Sequence, residues 1–339
     1  MKLIKLNKTV SMYSEPALGS VNEHTRYMAL AVDTSTLDKK VKLGLAREIT
    51  KSLGHVDKPG FVDESKLIIV KSRNLIKWEK DSDLKIKGIE KIIEELSNSN
   101  QYFIGLEDPD IWVDEKNLKH VYFTIAFKYK DEKGHKLYLG HAEGKELKKL
   151  TATNPVIENN KEIAICPVKN KDYRYVLTES WTNKSEEGMG LLRAKDMNKD
   201  WEFIRLAFNS KEPSWCSKYA SPCKIIDSLY TNVNDNLLGI CTGHARSQIK
   251  NGTEYRGDFL PGLFLFNPKK GEVSWMDSKY WFKDPDARII TFASDFIPLS
   301  KDKYLLYCHI NDGFVRAYEV DLKGLGKYVK EKTSKLKLS

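Results

Sequence analysis

The sequence lacks several features that mark particular protein classes. Its 339 residues include only 11 prolines and 5 cysteines, and no run of about 18 apolar residues occurs. The cysteines are odd in number and have no CxxC spacing, which argues against a disulfide framework and a cysteine-based zinc site. They are Cys166, Cys216, Cys223, Cys241 and Cys308. The N-terminus has no apolar segment of signal-peptide length. We therefore expect a reduced, cytoplasmic, soluble protein with no membrane partner, cofactor or metal ion.

The sequence also lacks a concentrated basic face, although its formal net charge is +9. The lysines are spread along the chain among Asp and Glu, and only residues 323–339 form a basic run, which we expect to be a helix or tail. No nucleic-acid-binding module is present, so we expect no nucleic-acid partner. The sequence carries no signal of oligomeric state.

Apolar residues instead alternate with a period of two, which predicts β-strands. In residues 120–129, for example, Val121, Phe123, Ile125 and Phe127 fall on one face. The same alternation recurs in four other short segments, each bounded by turn residues. These segments are residues 173–180, 235–243, 261–267 and 303–311. Many short strands with close turns predict an all-β sandwich, barrel or propeller.

Helical periodicity is confined to two places, which we expect to be insertions between strands. Near residues 35–53, the apolar residues Leu37, Val41, Leu45 and Ile49 form one stripe. A second stripe lies near residues 85–97. It consists of Ile86, Ile89, Ile93 and Leu96.

Weak internal repeats favour a propeller among the β architectures. Trp78 and Trp201 occupy matching places after an apolar strand and a polar turn, and Trp275 resembles a further copy. We expect these rings to pack in the core. A proline-bearing strand entrance also recurs five times, at residues 14–18, 106–111, 161–167, 219–223 and 292–298. We therefore expect residues 1–339 to form one domain, a five-bladed β-propeller whose strand entrances meet at one mouth of the central channel.

These entrances carry an unusual number of charged side chains. They are Glu15, Glu107, Asp108, Lys161, Glu162 and Asp295, and Glu179 ends the strand after the third entrance. Cleavage of a glycosidic bond requires one protonated carboxyl group and a second carboxylate that activates water or stabilises positive charge. Repulsion between neighbouring carboxylates raises one pKa and supplies the protonated partner. Trp112, Trp181 and Trp215 are candidates for stacking on sugar rings, whereas an isolated Glu-Asp-Pro sequence is common in turns.

The segment GLEDPDI, residues 105–111, followed by a strand resembles the E-D-P-R segment of glycoside hydrolase family 130, the mannoside phosphorylases and related mannosidases. Further segments resemble that family in the same order, from about Ser65 onward. They are residues 161–179, 219–226, 238–245, 262–267 and 292–322. The resemblance implies a five-bladed propeller, a central sugar pocket and inversion at the anomeric carbon. It also implies that Asp108 is the general acid, acting through a sugar hydroxyl, and that Lys161 helps to hold phosphate.

The sequence departs from the family pattern at its anion-binding positions. Asp110 stands where the family has arginine, Thr242 replaces a histidine, and Glu179 and Ser180 replace a His-Arg pair. Phosphate is normally held by Arg, Lys or backbone N–H groups, so carboxylates at these positions repel it. This exchange favours hydrolysis, with Glu179 as the preferred base and Glu162 as the second choice.

We expect the substrate, a short oligosaccharide such as a β-mannoside, to contact seven residues. They are Glu107, Asp110, Lys161, Trp181, His244, Arg246 and Asp295. One alternative is a phosphorylase whose anion site is rebuilt from Lys161, His244, Arg246 and Arg316. A second alternative is a sugar-binding propeller without catalysis. Family 43 glycosidases also place acids at blade entrances, so arabinosides or xylosides are further candidate substrates.

Overall fold

The computed structural model describes residues 1–20, 25–54, 61–130, 134–181, 187–209 and 211–334. Within these ranges β-strand is the predominant secondary structure, as the alternation predicts. The strands of the first half are β1 Leu3–Lys5, β2 Val10–Tyr13, β3 Arg26–Val32, β4 Lys42–Leu53, β5 Val62–Ser72, β6 Glu79–Asp83, β7 Ile86–Lys87, β8 Gln101–Val113, β9 Lys119–Tyr129, β10 His135–Gly144, β11 Leu150–Glu158 and β12 Asn160–Ile165.

The second half continues in the same way. Its strands are β13 Arg174–Trp181, β14 Glu187–Ala194, β15 Glu202–Phe208, β16 Tyr219–Ile226, β17 Leu237–His244, β18 Gln248–Lys250, β19 Thr253–Tyr255, β20 Phe259–Asn267, β21 Glu272–Met276, β22 Thr291–Pro298, β23 Lys303–Ile310 and β24 Phe314–Asp321. The α-helices of the described residues are α1 Ile89–Leu96 and α2 Leu322–Thr333. Neither has the length and apolar content that crossing a membrane requires.

The strands form antiparallel sheets in which neighbours along the chain pair with each other. Strands β12 to β15 form one sheet, and β16, β17, β20 and β21 form another. Strands β3 to β6 and β8 to β11 belong to one larger sheet, but these two halves are joined by a single parallel pair, Ser65 with Gly105. A side chain on Gly105 would collide with Ser65, and its φ of +147° also favours glycine. The halves are therefore two groups of four strands whose backbones pair at one point, and β7 pairs in parallel with β11 in the second group.

The two ends of the chain share the last sheet. Strand β2 pairs with β24, with Val10 opposite Val320, and completes the sheet that β22, β23 and β24 begin. The first strands of the five groups also form a ring of contacts: β3 with β8, β8 with β12, β12 with β16, β16 with β22, and β22 with β3. These five strands surround a common centre.

Tryptophan rings pack in the core between strand groups, as expected for Trp78 and Trp201, which are both buried. Trp215 is buried as well, with its ring against the backbone of Gly243 and Gly262. It donates a hydrogen bond of 3.0 Å to the carbonyl of Asp277. The expectation that Trp215 stacks on a sugar is therefore wrong, because its ring is enclosed by protein.

Of the two helices predicted between strands, one is present and the other is not. The helix predicted near residues 85–97 is confirmed as α1. The basic C-terminal segment contains α2, whose N-terminus is capped by the Asp321 side chain. Residues 335–339 of that segment lie outside the described residues. The helix expected near residues 35–53 is wrong, because most of that segment is strand β4, paired with β5. Val41, Leu45 and Ile49 are four residues apart, and an even spacing places side chains on one side of a strand as well as of a helix.

Candidate active site

The five strands that surround this centre, called the inner strands below, each carry a β-bulge at a similar place. They are β3, β8, β12, β16 and β22. The register against the next strand shifts between Met28 and Ala31, Glu107 and Asp110, Lys161 and Ile163, Pro222 and Lys224, and Ala293 and Asp295. Four of the five predicted strand entrances thus lie in inner strands, namely β8, β12, β16 and β22. The entrance at residues 14–18 is wrong: Glu15 is exposed and pairs with Lys77, and β3 supplies the inner strand instead.

The bulges place strained residues next to the centre. Asp108 and Glu162 have φ angles of +46° and +50°, and Ala29 has +48°. A left-handed backbone at a residue other than glycine costs on the order of 1–3 kcal/mol and persists where the surrounding structure holds it. A bulge also redirects the side chain of its extra residue. The two acids are therefore held in place at an energetic cost.

A central cavity of about 240 Å³ lies among the inner strands. Its wall contains more acidic than basic residues: six Asp or Glu and three Arg or Lys. The acids are Asp63, Glu107, Asp108, Glu162, Glu179 and Asp312, and the bases are Arg47, Lys161 and Arg256. Aromatic residues complete much of the wall. They are Phe61, Trp181, Tyr219, Phe259 and Phe292.

Arg47 on β4 holds the two acids of the Glu-Asp-Pro segment. Its guanidinium donates to Glu107 Oε1 at 2.6 Å and to Asp108 Oδ1 at 3.1 Å, while its Nε donates to Ser65 Oγ at 3.0 Å. Burial raises the pKa of Glu107 to about 7, although Arg47 opposes this rise. Burial also acts on Asp108, but there the charges of Arg47 and Lys161 outweigh it and the pKa falls below 3.8. Asp108 is therefore the ionised member of this cluster.

Glu162 contacts Asp108 from the neighbouring inner strand. Burial, followed by the negative charge of Asp108, raises the pKa of Glu162 well above 4.5, and a hydrogen bond to Asp108 adds to the rise. Two buried carboxyl groups in contact share one proton more readily than they both ionise. The pKa of Glu162 is raised and that of Asp108 is lowered, so Glu162 holds a proton more readily than Asp108 does.

Glu179 lies on the next strand outward and faces Lys161 and Ser221. Lys161 Nζ is 3.6 Å from Glu179 Oε1, and the Ser221 hydroxyl donates to Oε2. Burial raises the pKa of Glu179, and both neighbours oppose the rise. The Oε1 atom is buried and accepts no hydrogen bond from the residues that the structure describes. Lys161 also lies over the ring of Trp181, 5.7 Å from its centre.

Sequence reasoning missed several residues of this wall. His309 Nδ1 accepts from the Ala29 N–H at 3.3 Å, so Nε2 carries the proton and faces Asp312 Oδ1 at 3.3 Å. Arg256 lies over the rings of Phe61 and Phe259, at 4.9 and 4.8 Å. Arg47 was overlooked because its strand, β4, was predicted to be a helix. Its position in line with Leu43, Leu45 and Ile49 was the available signal, because a charged residue in an apolar row requires a partner.

Other predicted residues lie outside the cavity wall. Asp110 and Asp295 share Lys224, at 3.9 and 2.9 Å, and this ion pair links three inner strands. Burial raises the pKa of Asp110 to about 7 despite Lys224. The His244 ring is stacked on Phe259, 3.8 Å between centres, and is therefore behind the wall. Arg246 is exposed, with its Nε donating to the Ser217 carbonyl at 3.3 Å.

The alternative anion site is not assembled in the structure. Arg316 is buried away from the cavity and pairs with Asp286 at 2.7 Å and Asp284 at 3.5 Å. With Arg246 at the surface and His244 behind Phe259, only Lys161 of that set reaches the wall. The remaining predicted residues, Asp108, Glu162, Glu179, Glu107, Lys161 and Trp181, are brought together there.

Solved structures share this fold, although no protein-family model and no curated protein matches the sequence. A β-1,2-mannobiose phosphorylase from Listeria innocua superposes with a TM-score of 0.67 and 13% identity, covering 95% of this chain and 99% of that one. A putative glycoside hydrolase from Parabacteroides distasonis gives 0.64 and 16% identity, covering 94% and 93%. A thermostable family-43 glycoside hydrolase gives 0.51 and 13% identity, covering 87% and 88%. The chain therefore shares the all-β fold of these carbohydrate-active proteins.

Proposed function

We propose that this protein is a five-bladed β-propeller enzyme that hydrolyses a glycosidic bond of a short oligosaccharide with inversion. The observation that carries the proposal is that Asp108, Glu162 and Glu179 line one cavity together with aromatic rings, where burial and the charge of Asp108 raise the pKa of Glu162. Aromatic faces stack on sugars, and a cavity of about 240 Å³ favours a short substrate. A β-mannoside is the first candidate, and arabinosides and xylosides follow.

Three observations support five blades. The inner strands touch in a closed ring of five, the larger sheet divides into two groups at one residue pair, and β2 closes the last group with β24. Pairing of β2 with β24 joins the two ends of the chain in one sheet, and propellers built by radial repetition leave only short, protected edges.

The three catalytic carboxyl groups have different roles in this proposal. The pair of Asp108 and Glu162 gives its single proton to the glycosidic oxygen as the bond to the anomeric carbon breaks. Glu179 takes a proton from water while the water oxygen bonds to that carbon. Charge neutralisation by Arg47 keeps Asp108 ionised before substrate binds, and Lys161 and Ser221 orient Glu179. One acid group and one base group on opposite sides are what inversion requires.

The charge of the wall supports water over phosphate as the attacking group. Phosphate groups carry about −1.5 to −2 charges near neutral pH, and six carboxylate residues surround this cavity. Arg47 and Lys161 already face acids at 2.6 and 3.6 Å. Phosphorolysis is the second candidate, because Arg256 and Lys161 lie on the wall and the Listeria structure is a phosphorylase.

Incubation with a panel of mannobiosides, arabinosides and xylosides, with and without inorganic phosphate, tests the proposal. We expect free sugar without phosphate, initially with the inverted anomeric configuration by NMR. A sugar 1-phosphate formed only with phosphate identifies a phosphorylase. Sugar binding by calorimetry without turnover identifies a binding module.

The five cysteines are unpaired and buried, which supports the proposal that the enzyme works in the reducing cytoplasm.

A further inference from the structure

We propose that His120, His141 and Glu143 bind one divalent transition-metal ion of the zinc type. One ligand atom from each residue lies within 4.8 Å of the others. His120 Nδ1 is 3.0 Å from His141 Nε2 and 3.8 Å from Glu143 Oε2. Bonds of about 2.0–2.1 Å around a tetrahedral ion place neighbouring ligand atoms roughly 3.3 Å apart. Two of the three separations are thus close to this value, and the third is no more than 4.8 Å.

The hydrogen bonds of His141 aim its free nitrogen at the cluster. The Thr153 hydroxyl donates to the carbonyl of Asn154 at 3.1 Å, so its oxygen accepts from His141 Nδ1 at 2.8 Å. Nδ1 therefore carries the hydrogen, and the lone pair of Nε2 points toward His120 and Glu143. A polar neighbour that fixes the outer nitrogen in this way is typical of histidines that bind metals.

The surroundings of His120 favour an ion over a simple hydrogen bond. Without an ion, His120 Nδ1 donates to His141 Nε2, and the lone pair of His120 Nε2 faces Asp114 Oδ2 at 3.9 Å. With an ion bound to Nδ1, the hydrogen moves to Nε2 and faces the Asp114 carboxylate. The third ligand is also held, since Asn198 Nδ2 donates to Glu143 Oε2 at 3.0 Å. Two imidazoles and one carboxylate match the ligand preferences of Zn²⁺ and Co²⁺.

The site lies at the junction of two strand groups. His120 is on β9, and His141 and Glu143 are on β10, whereas Asn198 follows β14 in the next group. Beside it, the Tyr122 hydroxyl donates to the carbonyl of Met197 at 2.6 Å. None of the three ligands lines the central cavity, so the ion has a structural role that is independent of the proposed reaction. An ion that binds only the folded state stabilises it.

Titration of chelator-treated full-length protein with Co²⁺ or Zn²⁺ tests this site. We expect one ion per chain by calorimetry, visible absorption of Co²⁺ typical of tetrahedral coordination, and a higher Tm with the ion. His120→Gln, His141→Gln and Glu143→Gln should each weaken binding by more than the roughly 10- to 100-fold that loss of an outer-shell partner typically costs. His135→Gln is the matched control, because it removes one imidazole elsewhere and should bind as the wild type does.

Two outcomes would overturn the site. One is wild-type protein that takes up no stoichiometric ion. The other is undiminished binding by the double variant His120→Gln/His141→Gln. The partly exposed Glu143 provides a variant expected to fold, and circular dichroism of every variant without metal separates lost binding from lost structure.

Discussion

Asp108 and Glu162 occupy the same position in two neighbouring strand groups. Each is the extra residue of a β-bulge in an inner strand, with φ angles of +46° and +50°. The repeated backbone geometry directs both side chains into one cavity, where burial and the charge of Asp108 raise the pKa of Glu162. This relationship joins the internal repeat of the fold to the proposed chemistry, because equivalent positions supply the two interacting acids.

Replacing either acid by its amide is expected to abolish most of the activity. Asp108→Asn or Glu162→Gln keeps the side-chain shape but removes one exchangeable carboxyl group, and proton transfer typically contributes 10²–10⁴-fold to the rate. We expect kcat/KM to fall by about that factor in both variants. The Tm of Glu162→Gln should change little, whereas that of Asp108→Asn should fall because Asp108 pairs with the buried Arg47. Asp196→Asn, at an exposed carboxylate, is the control. Wild-type rates in both amide variants would disprove the assignment.

Removing the charge of Arg47 should move the alkaline limit of activity to higher pH. The donor pair must hold its proton, so kcat/KM falls when rising pH removes it. Arg47 favours the charged carboxylates, and Arg47→Gln therefore raises the pKa of the pair and shifts the alkaline limb upward. Arg174→Gln, which does not alter the cavity wall, should leave the profile unchanged. A downward shift in Arg47→Gln would contradict the charge arrangement.

Arg47→Gln should also destabilise the protein. Arg47 is buried and pairs with Glu107 at 2.6 Å and Asp108 at 3.1 Å. Breaking a buried ion pair by removing one partner typically costs 3–5 kcal/mol. Denaturant unfolding at pH 8 measures this loss, and the further change Glu107→Gln should restore part of it by removing one unpaired charge. No recovery in the double variant would show that the loss has another origin.

Much of the fold and part of the site were predictable from sequence because they depend on local patterns. Period-two alternation located strands such as β9, β17 and β23, and the Glu-Asp-Pro segment located Asp108. Arg47 was missed, because the four-residue spacing of its apolar neighbours is compatible with a strand and with a helix. The inner strand β3 was missed as well, since its bulged residue is Ala29, which carries no charge. Its place follows only from long-range pairing with β4.

The core position of Trp215 predicts a strong penalty at Gly262. A Cβ added there would overlap the Trp215 ring, and overpacking of a core typically costs 1–3 kcal/mol or more. We expect Gly262→Ala to lower the denaturant midpoint accordingly. Gly313→Ala is the matched control, because its nearest heavy atom would be 3.4 Å away. Equal midpoints for the two variants would show that the ring can move aside.

Asp110 should make stability depend on pH. Its folded pKa of about 7 lies above its ordinary value of 3.8, because burial penalises the charge more than Lys224 favours it. The folded state then binds more protons than the unfolded state between about pH 4 and 7, so stability is greatest below this window and falls as pH rises through it. Asp110→Asn retains an oxygen for the Ile111 N–H and removes the titrating charge, while Lys224 keeps Asp295 at 2.9 Å. We expect the variant to exceed the wild type in unfolding free energy at pH 8, by up to about 4 kcal/mol, with a gap that narrows toward pH 4. Denaturant unfolding at both pH values measures the gap. A variant less stable than the wild type at pH 8 would mean that ionised Asp110 stabilises the channel.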